Sequence, residues 1–115
     1  MRQVSIDAAN AFVKGKKFKR GNTEVKLLPD LGSDTVTVQL VLFGNTIATR
    51  NLEYPMFEIT TAGWKTVTTR DRLSALPRVS VTTKSGNLYL NDLPWDGKWV
   101  NPDHIVGHMF GVKAA

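Results

Sequence analysis

The 115-residue chain contains no cysteine. That absence removes disulfides, thiolate metal sites and thiol nucleophiles together, and it suits a reducing cytoplasm. Long apolar runs are also missing. The longest, residues 40–43, falls far short of the roughly 20 residues a helical membrane span requires, so no membrane association is expected. The opening "MRQVSIDAANAF" has one early Arg but neither an apolar segment nor a small-residue cleavage pattern, and it does not read as a secretory signal. No G-x-S-x-G elbow places a serine for nucleophilic attack. "GNTEVK" is no phosphate loop, because it lacks a second glycine and a following Lys-Ser/Thr pair.

Hydrophobic residues make up 42% of the chain and charged residues 22%, the balance of one folded domain, residues 1–115, around one core. A chain this short buries only about two-thirds of the surface its unfolded form exposes, which leaves little room for a substrate cavity. The expectation is a non-enzymatic protein with no cofactor. His104 and His108, spaced i, i+4 in "DHIVGH", have the separation of helical zinc ligands. Pro102 and Gly107 oppose a helix there, and the third ligand would have to be Asp96 or Asp103, so no metal site is expected.

The residue pattern predicts an α+β fold, with an N-terminal helix, an antiparallel sheet of about four to six strands and a second short helix packed on that sheet. Ala8, Ala11 and Phe12 stand at i, i+3, i+4 in a helix starting near Ser5 and ending at Gly15. "TEVKLL", "DTVTVQLVLF" and "TIATRNL" then alternate as half-buried strands, with Val36, Val38 and Leu40 on one face. Gly-Asn recurs at Gly21, Gly44 and Gly86, each time before a strand-like segment, and marks turns. In "TAGWKTVTTRDRL" a strand through Phe57 and Ile59 stops at Gly63, and a helix over Thr69 to Leu76 follows. Thr68 and Asp71 form a loose capping box for that helix, and Pro77 stops it. The predicted core is Phe12, Val25, Val36, Val38, Leu40, Ile47, Ile59, Trp64, Leu73, Leu76, Val81 and Leu90. Trp64 is expected as a buried plug whose truncation to alanine would cost about 3–5 kcal/mol.

The strings "GNTIA" (44–48), "AGWKTVTTRDRLSAL" (62–76), "VSV" (79–81) and "WDGKW" (95–99) resemble a group of small uncharacterised proteins of tailed bacteriophages. The shared pattern is G-N-x-I-A, then G-W-x-T-x-T-T-x-x-R-L, then a short hairpin near a Trp. The pattern has His before the first glycine and Asn after the R-L pair, where this chain has Phe43 and Ser74. The resemblance implies a phage origin, with host bacterial cytoplasm as the place of action, and no known activity.

Charge is the strongest functional signal. Residues 1–30 carry a net +4 and residues 64–84 another +4, while the intervening and final segments are net negative. "KGKKFKR" surrounds Phe18 with five cations, and the second block joins cations to Trp64 and a run of threonines. Such a mixture suits phosphates and a stacked base. The expected function is nucleic-acid binding through Lys14, Lys16, Lys17, Lys19, Arg20, Lys65, Arg70 and Arg72, the last two diverging on the helix surface. The alternative is an effector that binds a bacterial host protein through exposed Trp95, Trp99, Met109 and Phe110.

Overall fold

In the computed structural model, which describes residues 1–103, the chain opens with helix α1 (Gln3–Lys14), two residues earlier than the periodicity suggested. Arg2 precedes it without a side-chain cap, and Ser5, Ala8, Ala9 and Phe12 form its buried stripe. Gly15 ends it at φ 70°, a left-handed conformation that glycine adopts cheaply. The Lys16 amide then reaches back to the Ala11 carbonyl at 2.9 Å, closing the last turn.

Five strands follow as an antiparallel meander in sequence order: β1 (Phe18–Arg20), β2 (Thr23–Pro29), β3 (Val36–Leu42), β4 (Asn45–Asn51) and β5 (Glu58–Ile59). The register pairs Val25 with Leu40 and Leu27 with Val38, so these side chains share the face that receives α1. Lys26 pairs with Gln39, and Gln39 with Thr49, on the opposite face. Between Leu40 and Val41 the register shifts, because Ile47 is an extra residue in β4. Val36 is half-buried at the sheet margin rather than in the core.

Helix α2 (Val67–Ser74) starts two residues before the expected Thr69. Its cap is Thr66, whose hydroxyl accepts the Thr69 amide at 3.2 Å, so the predicted Thr68–Asp71 capping box does not form. Leu73 and Leu76 are buried as expected, and α2 rests chiefly on α1 and on β6 (Val81–Lys84) while reaching β2 of the five-stranded sheet through Arg72. β6 begins a second antiparallel sheet with β7 (Asn87–Leu90) and β8 (Leu93–Pro94).

The three Gly-Asn corners are all hairpin turns, joining β1 to β2, β3 to β4, and β6 to β7. At the second and third, the turn pair is Phe43-Gly44 and Ser85-Gly86, all four residues at positive φ, with Asn as the first strand residue.

One core serves both sheets, uniting Phe12, Val25, Leu40, Ile59, Leu73, Val81 and Leu90. After β8 the chain returns to β5, where Ile59 and Val100 exchange backbone hydrogen bonds of 2.9 and 3.0 Å. Gly97 makes that return close: a Cβ there would lie 2.5 Å from Thr61 Oγ1. Trp95 is buried at this corner and donates its indole N–H to the Lys98 carbonyl at 3.0 Å, so it is not a surface anchor.

Candidate functional site

Helix α1 sets the geometry of the basic residues, because its two ends face different neighbours. At the N-terminal end, Asp7 holds Arg20 through an ion pair of 2.7 Å. The Arg20 hydrogen bond, followed by that of Gln3, keeps the Asp7 carboxyl below the usual carboxylate range. Arg20 also lies 5.1 Å above the Phe18 ring, and Phe18 itself packs half-buried against the core. Neither is a free phosphate contact or a free stacking surface.

Arg72 departs further from expectation. It is 3% exposed, donating from Nε to Thr23 Oγ1 at 2.8 Å and from Nη1 to Ser5 Oγ at 2.7 Å. Asp71 lies beside it, accepts the Ser5 hydroxyl and the Arg2 amide, and stands 3.6 Å from the guanidinium. Burial pushes the Asp71 carboxyl up, but Ser5, Arg2, the N-terminal ammonium and Arg72 together hold it below its usual range. Burial lowers Arg72, as does the nearby Arg2 charge. The pair therefore fastens α2 to α1 and β2, and Arg72 belongs to the scaffold rather than to a binding face. Arg70 is half-buried, with its Nε enclosed.

Toward the C-terminal end of α1 and along the β1–β2 pair that follows it, the lysines stand in water. Lys14, Lys16, Lys17 and Lys19 are exposed, and Lys26, absent from the predicted set, joins them. Among the described residues none of the five forms an ion pair. Lys17, Lys19 and Lys26 line one shallow surface groove of about 470 Å³ with Phe18, Glu24, Val25, Leu27 and Leu28. The alternation of β2 gave the signal for Lys26, since Val25 faces inward.

One more cation at this end, Arg50, is internal. Arg50 is buried and donates to the Phe12 carbonyl at 3.1 Å and the Val13 carbonyl at 2.7 Å, satisfying groups the helix end leaves open. Its Nη1 binds the carbonyls of Asn51, Leu52 and Tyr54. Desolvation lowers its pKa.

Trp64 is 56% exposed, not a plug. The positive φ of Ala62 and Gly63 (54° and 88°) turns the chain outward before it. It borders a groove of about 300 Å³ with Leu42, Phe43, Asn45, Ile47, Thr66 and Thr69. Lys65 is exposed next to it. Of the two basic blocks, four lysines of the first therefore stand exposed by the end of α1 and along β1, and Lys65 of the second stands exposed beside the groove near α2.

Residues 1–111 match the family described as Kyanoviridae Gp96 protein. The chain belongs to that family. Membership makes it a small phage protein. No curated protein and no solved structure matches the chain. No helix among the described residues is long and apolar enough to cross a membrane. No described group of three or more His, Asp or Glu residues is arranged to hold a metal ion, and His104 and His108 lie outside the described residues. Trp99 is 48% exposed, whereas Met109 and Phe110, the other members of the predicted apolar patch, also lie outside them.

Proposed function

We propose that this member of the Gp96 family is a non-enzymatic accessory protein of the phage that binds nucleic acid in the host cytoplasm. The contact is electrostatic, through Lys14, Lys16, Lys17, Lys19 and Lys26. The observation that carries the reading is that these five exposed lysines gather by the C-terminal end of α1 and the adjoining sheet edge and, among the described residues, form no ion pair, Glu24 opposite Lys19 included. Unpaired ammonium groups displace the counterions condensed on phosphates, and the released ions drive binding with little sequence preference.

The logarithm of affinity should then fall linearly with the logarithm of salt, with a slope of about −0.7 to −0.9 per phosphate neutralised. Changing Lys16, Lys17 and Lys19 together to Glu should weaken binding and flatten that slope while leaving the melting temperature in place, because all three side chains are solvated. A wild-type chain that retains neither DNA nor RNA at low salt in a mobility shift sinks the reading. The exposed Leu52, Tyr54 and Met56 of the β4–β5 loop would then favour the alternative, an effector of a bacterial host protein.

A further inference from the structure

The groove between Phe43 and Trp64 has a chemistry of its own. Both aromatics are largely exposed, at 67% and 56%, although each is large enough to bury profitably. Phe43 is held out at a hairpin tip with φ 51°, in the left-handed region that non-glycine residues adopt at a cost. Its amide donates to the Asn22 carbonyl at 2.8 Å, which fixes the tip against the β1–β2 hairpin. Trp64 is held by its own amide, which donates to the Thr61 carbonyl at 3.0 Å.

Between the rings the floor is Leu42 and Ile47, and the polar groups at the wall are Asn45, Thr66 and Thr69. Segments 42–49 and 60–70, which build the groove, contain no Asp or Glu and carry Lys65 and Arg70. A flat ligand with π faces, hydrogen-bonding edges and negative charge complements that combination. A nucleotide base with its phosphate is such a ligand, and every base offers a face to stack.

We infer that the Phe43–Trp64 groove receives an unstacked base, so that the protein prefers single-stranded nucleic acid over duplex. This rests on the nucleic-acid reading and deepens it. In a duplex both faces of each base are occupied by its neighbours, so only a single strand can offer one to the groove. The edge strand β1 supplies continuity, since it runs from the lysines at 16 and 17 to the Gly21-Asn22 turn that Phe43 touches. Phe18, half-buried beneath Arg20, is excluded from the stacking role.

The test compares an oligothymidylate of about ten nucleotides, within the range such proteins cover, with a duplex of the same length by fluorescence anisotropy. Trp64→Ala should weaken binding of the single strand about tenfold and leave the duplex nearly unaffected. Trp64→Phe, which keeps a ring to stack, should restore most of the loss. A thermal melt unchanged in Trp64→Ala would show that the loss is not unfolding. Equal affinity of wild type and the Trp64→Ala, Phe43→Ala double variant for the single strand overturns the inference. The lysine reading survives that outcome if the Lys16, Lys17, Lys19 charge reversal still weakens both probes. Failure of the wild-type chain to bind either probe overturns both.

Discussion

Residues 1–30 and 64–84 carry the same net charge of +4, and the fold puts it to opposite uses. In the first stretch Lys14, Lys16, Lys17, Lys19 and Lys26 remain in water, while Arg20 alone is paired with Asp7. In the second, Arg72 is buried, Arg78 holds Asp103 through two hydrogen bonds of 3.1 and 3.2 Å, and Arg70 is half-covered. The division follows side-chain chemistry. A guanidinium presents several donors in a planar fork and is weakly hydrated, so it can satisfy hydroxyls and carbonyls inside a fold; an ammonium is a strongly hydrated point charge that stays outside. Counting charge along the sequence therefore overstates the second block as a binding surface.

The largest effect on this contrast should come from Arg72→Ala. It leaves Thr23 Oγ1 and Ser5 Oγ without their donor and unfastens α2 from α1 and β2. The expected loss is about 3 kcal/mol of unfolding free energy, measured by urea denaturation. Nucleic-acid affinity and its salt slope, taken where the variant is folded, should not change. A variant as stable as wild type but with weakened binding would return Arg72 to the interface.

The sequence shows β2 to β5, both helices and the turn corners because each depends on local chemistry: alternation in "VTVQL", the glycine that stops α1, the Gly-Asn pairs at the hairpins. It does not show β1, inside the basic block, or the division of the expected single sheet into one of five strands and one of three, which depends on distant pairing. The fate of Arg72 depended on Ser5 and Thr23, 67 and 49 residues away, and no local period reports such a partner. Trp64 was misplaced for a related reason. Its size argued for burial, but the positive φ at Ala62 and Gly63 steers it outward. Trp95, in a similar Gly-containing corner, turns inward because Lys98 supplies a carbonyl for its indole N–H. For the candidate interface, composition anticipates the exposure of Lys14, Lys16, Lys17 and Lys19 but not the burial of Arg72.

A smaller effect should follow from Asp71→Asn. The folded state holds this carboxyl below its usual range, so folding favours the ionised form. That contribution is present above the ordinary carboxylate pKa and is lost as pH falls through the lowered folded value. The substitution should cost about 1–2 kcal/mol at neutral pH, a charge-assisted hydrogen bond's worth. It should also make the decline in stability toward about pH 3 shallower than in wild type. Denaturation curves at both pH values test this, and parallel declines would show that Asp71 is not the group responsible.

The smallest expected change concerns Arg20, the one cation of the first block that the fold has tied down. Its pair with Asp7 is exposed, with 53% of the Arg20 side chain and 31% of the Asp7 side chain open to solvent, so it is screened and contributes little to stability. Asp7→Asn should leave the melting temperature almost unmoved and release the guanidinium toward the hairpin end of β1. Freed there, Arg20 would lie on the route from the lysines to the Gly21-Asn22 turn and could take a phosphate of its own. Affinity should rise slightly, and the salt slope should steepen by no more than the increment of one phosphate, about −0.7 to −0.9. A salt titration of wild type beside Asp7→Asn reads that increment directly. A flatter slope in the variant would mean that the Arg20–Asp7 pair itself holds the binding surface in shape, and that the separation of free lysines from fastened arginines is less complete at this end of α1.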